Sequence, residues 1–325
     1  MNILKTIKFK NVPYAISTSK QITTKPTRVD NLVLYRKKED DAIVCLEDKC
    51  PHRGARLSQG SINKDDEIIC PYHGWQFNEK GLLTVMPSHK SSSPSCIVPH
   101  YNISEDGGYV WINYENGLVD KQCPEMNDKS WGKVQGSQVV QGNWFDWVSN
   151  SWDVSHINYV HDFGDEANGI VYDLKTWNDN IFDNVINATC KVNSKPINWT
   201  TNHMQTKKTN IDFKSILPNT TRIDVQMKKP YKFITFTSVM PISINKSLLT
   251  WSFLWKFGGN FWEKSTIIKN AFEKEMAKTI SEDENLIKNI DDDIPYISVP
   301  ADGIQLKCTN HLEKLMHKYD FEYLN

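Results

Sequence analysis

Two short stretches of this chain carry the residue types best suited to redox chemistry. Cys50-Pro-His52 and Cys70-Pro-Tyr-His73 each offer one thiol and one imidazole, and seventeen residues separate His52 from Cys70. Cys-His followed by Cys-His is the donor set of a [2Fe–2S] centre with mixed ligation. Two thiolates hold one iron and two imidazoles the other, an exchange that raises the reduction potential. Each stretch runs on through a glycine, Arg53-Gly54 or Gly74-Trp75, where the missing Cβ lets the backbone come close to a cluster. The same four donors would also satisfy a tetrahedral structural zinc ion. Zinc sites usually group their cysteines and then their histidines, or use four cysteines. The alternation, with a proline after each cysteine, fits the iron–sulfur reading better.

A second group of donors lies further along. Residues 144–160, WFDWVSNSWDVSHINYV, are patterned as one helix that carries Asn150, Asp153 and His156, with His161 just beyond. Asp153 and His156 are three apart and share a helix face. His156 and His161 are five apart, about 140° around an ideal helix, so one metal can take both only if the helix ends or bends between them. Gly164 is consistent with such a stop. Two histidines and one carboxylate with open positions left over make the facial triad of non-heme Fe(II) oxygenases.

The elements that must position these donors differ between the two halves. Leu32–Tyr35 and Ala42–Leu46 are apolar runs of strand length, followed by a strand at Glu67–Ile69 and a hairpin at Gln76–Leu83 turning on Gly81. The serine-rich stretch Ser88–Ser95 reads as a surface loop, and Tyr109–Tyr114 as a closing strand. These describe a small all-β domain, residues 1–117 with its core at about 30–117. A polar linker at about 115–133 leads to residues 118–325. Strands are expected there at 139–141, 181–192, 211–217, 222–226, 233–239 and 248–257, enough for an antiparallel sheet. A helix is expected over 261–290, with Ile267, Ile268, Ala271, Met276, Ile280, Leu286 and Ile287 on its apolar face. A last helix is expected over 303–319. The fold class is therefore α+β.

Length and composition set bounds on partners. The 325 residues suit two domains, and 39% hydrophobic with 24% charged residues describes an ordinary soluble protein. A formal net charge of −1 with no basic block gives no reason to expect nucleic acid. No G-x-G-x-x-G stands between a strand and a helix, so electrons are expected from another protein. Beyond Cys50 and Cys70, five scattered cysteines (Cys45, Cys96, Cys123, Cys190 and Cys308) suggest free thiols and a reducing compartment. The N-terminus lacks the apolar core of a signal peptide and no apolar run reaches eighteen residues. A cytoplasmic protein without a membrane segment is expected.

The stretches CPHRG, CPYHGWQF and Asn150-Ser-Trp-Asp153-Val-Ser-His156-Ile-Asn-Tyr-Val-His161 together resemble the Rieske non-heme iron oxygenases. The likeness covers residues of about 10–320 and is nearest to the single-component-α monooxygenases such as the vanillate and dicamba demethylase oxygenase components. The respiratory-chain Rieske proteins carry an extra cysteine in each loop that is absent here. The resemblance implies a [2Fe–2S] cluster on Cys50, His52, Cys70 and His73, and a START-like helix-grip catalytic domain with a long C-terminal helix. It implies mononuclear Fe(II) on His156, His161 and an aspartate of a late helix. Asp283 in Ile280-Ser-Glu282-Asp283-Glu284 is the match, with Glu282 and Glu284 as competitors and the run Asp291–Asp293 as a weaker candidate. It further implies that Asp153 bonds an iron-ligating histidine and, in a head-to-tail homotrimer, His73 of a neighbouring subunit, with His52 the alternative. Asn150 is expected near the open side of the iron as a weak ligand or water anchor. The implied activity is O2-dependent hydroxylation or oxidative demethylation of a small organic substrate, with electrons from an external ferredoxin or flavin reductase. Trp177, Trp199, Phe213, Phe236, Trp251, Phe253 and Trp255 are candidates for the pocket wall. An electron carrier with a Rieske cluster and no working iron site is the alternative from another class.

Overall fold

The computed structural model describes residues 3–88, 95–113, 118–178, 184–193, 204, 208–291 and 297–324. The chain divides into two compact units, Ala15–Asn116, and Met1–Tyr14 together with Gly117–Asn325. Residues 1–14 were expected with the small domain. They join the larger unit because β1 (Ile7–Phe9) pairs antiparallel with the last strand, Phe321–Tyr323.

The small unit is all β, as its alternating runs predict. It holds β2 (Tyr14–Thr18), β3 (Thr27–Val29), β4 (Leu32–Arg36), β5 (Ile43–Glu47), β6 (Ser61–Ile62), β7 (Ile68–Ile69), β8 (Gln76–Phe77), β9 (Leu83–Val85), β10 (Ile103–Asp106) and β11 (Tyr109–Ile112). They form three small sheets in the orders β3-β4-β5, β6-β7-β8-β9 and β10-β11-β2. Val33, Tyr35, Leu46, Leu57, Ile68, Phe77 and Val98 are buried in one core with Cys50, Cys70 and Trp75. The expected hairpin turns at Gly81, which has φ +70. Most of the expected loop Ser88–Ser95, residue 114 of the expected closing strand and the start of the expected linker lie outside the described residues.

The larger unit opens with α1 (Leu118–Gln122) and β12 (Gly132–Gln141), so the expected linker contains a helix. Next come α2 (Trp144–Trp152), α3 (Ile157–Val160) and six strands: β13 (Val171–Trp177), β14 (Val185–Asn193), β15 (Lys208–Ile216), β16 (Thr220–Gln226), β17 (Lys232–Ser243) and β18 (Lys246–Lys256). All seven strands form one antiparallel sheet, β12-β18-β17-β16-β15-β14-β13. α4 (Asn260–Glu263), α5 (Thr266–Ile287) and α6 (Gly303–Leu315) follow, and β19 (Phe321–Tyr323) closes the chain. α5 packs against β12 and α2, and α6 against β13 and β14. The α+β class and the long helix against an antiparallel sheet match expectation.

Local chemistry explains where the elements differ from the pattern. β12 is longer than expected because Gly132 and Gly136 stand opposite Trp255 and Trp251. A Cβ on either glycine would come within 2.0 or 2.5 Å of the indole lying over it. β13 escaped the pattern because it is a polar edge strand with a bulge between Tyr172 and Lys175. The first residues of the expected strand 181–192 lie outside the described residues. On α5 the expected apolar face is shifted: Ile267 and Leu286 are exposed, whereas Ile280, Asp283 and Ile287 are buried.

Candidate redox and metal centres

In the small unit, two loops of the same backbone design carry the four donors. The Cys50 N–H donates to the Ala55 carbonyl and the Gly54 N–H returns to Cys50. The Cys70 N–H donates to the Trp75 carbonyl and the Gly74 N–H returns to Cys70. Gly54 and Gly74 hold φ of +73 and +71, the left-handed conformation that closes each turn without a Cβ clash. The turns are alike, but histidine is the second residue after Cys50 and the third after Cys70. The loops are pinned from behind: Asp48 accepts from the Ser58 N–H and hydroxyl at 2.6 Å each.

The thiols are buried and the histidines are exposed. The imidazoles of His52 and His73 sit 4.6 Å apart, and His52 stacks flat on Trp75 at 4.5 Å. Burial pushes the Cys50 thiol up to about 11, with Cys70 beside it adding to the rise and backbone N–H groups of His52 and Arg53 opposing it. Desolvation, with His73 and Arg53 nearby, holds His52 below its ordinary value. Two buried thiols and two imidazoles side by side suit a binuclear iron–sulfur cluster. Among the described residues these four do not converge on the single point that one zinc ion needs.

In the larger unit, the expected helix over 144–160 is broken in two. α2 starts at Asn143, whose side chain caps the Phe145 N–H and donates to the carbonyls of Lys5 and Ile244. It ends at Asp153, whose carboxylate accepts from the N–H and hydroxyl of Ser155 and stops the helix there. His156 and His161 then cap the two ends of the one-turn helix α3. Gly164 is not a helix stop: a Cβ there would lie 2.1 Å from the Ile157 carbonyl, so glycine allows the chain to fold back over α3.

This break solves the angular problem posed by a five-residue spacing. The Nε2 atoms of His156 and His161 lie 3.7 and 3.4 Å from Asp283 Oδ1 on α5. His156, His161 and Asp283 bring ligand atoms within 4.8 Å of one another, the one such group of three among the described residues. Each ring has a carboxylate behind it. Glu282 is 2.9 Å from His161 Nδ1, and Asp153 is 3.7 Å from His156 Nδ1. A carboxylate at hydrogen-bond distance, as Glu282 is, holds the proton at Nδ1 and leaves the Nε2 lone pair pointing forward; His156 Nδ1 is buried without a hydrogen-bond partner. Asp283 Oδ1 is buried without a hydrogen-bond partner, as an oxygen waiting for a cation would be.

Burial raises the Asp283 carboxyl above its ordinary value, against the pull of His161, His156 and the Asn150 amide beside it. Burial would also raise Asp153, but His156 and Ser155 outweigh it and keep that carboxyl below the usual range. Glu284 turns away and accepts from the Gln141 N–H. Asp291 is exposed beyond α5, and Asp292 and Asp293 lie outside the described residues.

The donors form one end of a cavity of about 330 Å³ between sheet and helices. Of the expected aromatic residues, Trp251 and Phe253 line it. Phe213, Phe236 and Trp255 belong to the buried core, Trp177 is largely exposed, and Trp199 lies outside the described residues. Phe233, Phe272 and Met276 were missed as lining residues. Helical spacing of Phe272, Met276 and Ile280 up to Asp283 is the signal that could have found two of them.

The profile of the Rieske [2Fe-2S] domain family matches residues 12–102. The small unit is a Rieske domain. Over 161 residues the chain is 29% identical to the vanillate O-demethylase oxygenase subunit of Pseudomonas sp. (strain HR199 / DSM 7063), covering 47% of this chain and 45% of the relative. It is 29% identical over 144 residues to a methylxanthine N3-demethylase of Pseudomonas putida, covering 41% and 39%. The chain thus spans less than half the length of these curated relatives. Dicamba monooxygenase bound to dicamba has the same fold, with TM-score 0.81 at 19% identity over 96% of this chain and 98% of that one. Sequence carries the likeness over less than half of the chain, and fold carries it over nearly all of it. Among the described residues no helix is long and apolar enough to cross a membrane.

Proposed function

We propose that the chain is the terminal oxygenase component of a Rieske non-heme iron system. In this reading it uses O2 and electrons from an external ferredoxin or flavin reductase to hydroxylate or oxidatively demethylate a small organic molecule. One observation carries the reading: two imidazole Nε2 atoms and a buried, unpartnered carboxylate oxygen converge at the end of an apolar cavity, in a chain that also has a Rieske domain. The vanillate and methylxanthine demethylases among its relatives point to the same chemistry. An electron carrier would have no use for either the donors or the cavity.

When bound, a [2Fe–2S] cluster supplies single electrons and a mononuclear Fe(II) supplies O2 activation. Cys50, His52, Cys70 and His73 would hold the first, and His156, His161 and Asp283 the second. The remaining groups orient and shelter. Glu282 would hold the proton of His161 at Nδ1, whereas Asp153 stands 3.7 Å from His156 Nδ1 and acts on that ring by charge alone. The Asn150 amide favours the ionised form of Asp283 from the cavity side. Apolar walls keep bulk water from the reacting end. In a head-to-tail homotrimer, which is part of the proposal, Asp153 would also meet His73 of a neighbouring subunit and join the two redox sites. The cysteines are all free, which accords with a cytoplasmic setting.

The test is iron, acid-labile sulfide and native mass on anaerobically purified protein. About three irons and two sulfides per chain, in a species of three chains, is the expected result. About two irons, unchanged after Fe(II) is added, would overturn the oxygenase reading. A monomer that turns over at full rate would sink the trimer.

A further inference from the structure

On the oxygenase reading, the cavity wall also says what charge its guest can carry. α5 turns Phe272, Glu275, Met276, Thr279, Ile280 and Asp283 toward the cavity, a stripe at helical spacing. Before Asp283, Glu275 alone interrupts a face of apolar and hydroxyl-bearing lining residues. It stands two turns before Asp283, roughly 12 Å along the helix axis, and is half-buried. The neighbouring cation on the same helix, Lys278, is ion-paired to Asp162 and Glu282 and feels Glu275 only through space. The facing sheet adds Thr209, Thr235 and Thr237 among aliphatic and aromatic side chains. No lysine or arginine is among the described lining residues, whereas three carboxylates are: Asp153, Glu275 and Asp283. An organic anion placed here would give up its hydration and, among the described residues, find no counter-charge at the end remote from the histidines.

We infer that the guest is an uncharged or amine-bearing organic molecule, and that organic carboxylates are selected against. Its apolar body lies between the sheet and α5, with a hydroxyl or protonated nitrogen on Glu275. The group to be oxidised then lies toward His156, His161 and Asp283, so Glu275 sets specificity from the far end of the cavity.

Three probes of one shape test this: biphenyl-4-methanol, biphenyl-4-methylamine and biphenyl-4-carboxylate. Their dissociation constants are measured by calorimetry under anaerobic conditions, on the full chain and on Glu275→Gln. Alcohol and amine should bind at least about tenfold more tightly than the carboxylate. Glu275→Gln should weaken the amine about tenfold and leave the alcohol within about threefold. A carboxylate that binds as well as the alcohol overturns the inference. So does an amine unaffected by Glu275→Gln, or the failure of all three probes to bind. Iron content of the same samples separates the two readings. Lost charge preference with the mononuclear iron present sinks this inference alone, whereas absent mononuclear iron sinks the oxygenase reading.

Discussion

Glu282, Asp283 and Glu284 are three consecutive acids that do three different things, because a helix turns about 100° per residue. Asp283 faces both Nε2 atoms, Glu282 reaches behind His161, and Glu284 bonds Gln141 at the end of β12. Asp283→Asn should abolish the mononuclear iron and leave the visible absorption of the Rieske cluster intact, read as a loss of about one iron per chain. Glu282→Gln keeps an acceptor but removes the charge behind the imidazole. Fe(II) affinity should fall about ten- to a hundredfold, measured by anaerobic titration. Unchanged affinity would reduce Glu282 to a surface contact of α5. Sequence alone left these acids as competitors, since their types are interchangeable and only the phase of α5 against the cavity separates them. Cys50, His52, Cys70 and His73 were legible because so few chemistries use that donor order.

At the scale of elements, backbone shape decides what the side chains can do. The two Rieske loops share one turn, and each turn needs a glycine in the left-handed region. Gly74→Ala would place a Cβ 3.2 Å from the Pro87 ring in a conformation L-residues avoid, at a cost of about 1–2 kcal/mol. A lower cluster occupancy is expected, seen as a reduced ratio of visible to protein absorbance. In the seven-stranded sheet, Gly136→Val would drive its side chain into the Trp251 indole. The tryptophan that lines the cavity must then move, and the thermal midpoint should fall by several degrees. The apolar period alone read residues 144–160 as one helix. The break at Asp153 rests on a side-chain hydrogen bond to Ser155, which competes with the helix ladder without disturbing that period.

Taken as a whole molecule, the α+β class and the order of small β unit then sheet-and-helix unit were readable from local patterns. The placement of residues 1–14 was not, because nothing near them in sequence announces a partner more than three hundred residues away. β1 pairs with β19, and Lys5 makes a buried ion pair with Asp146 at 2.6 Å while its carbonyl accepts from Asn143. Deleting residues 1–10 strips all three contacts. Asp146, half-buried, then loses its ion pair with Lys5. The larger unit should melt earlier in circular dichroism while the Rieske absorption survives. Coincident loss of both signals would mean that the Rieske unit depends on this strand as well.

The pairing of Ile7 with Tyr323 also sets a timetable for synthesis. At ribosomal speeds of about 5–20 residues per second, β1 waits roughly 15–60 seconds for its partner to be made. During that interval Ala15–Asn116 emerges with every strand of its own sheets except the first residue of β2. The Rieske unit can thus fold and receive its cluster while most of the seven-stranded sheet is still untranslated, and β1 must stay free of competing strands until Phe321–Tyr323 has been made.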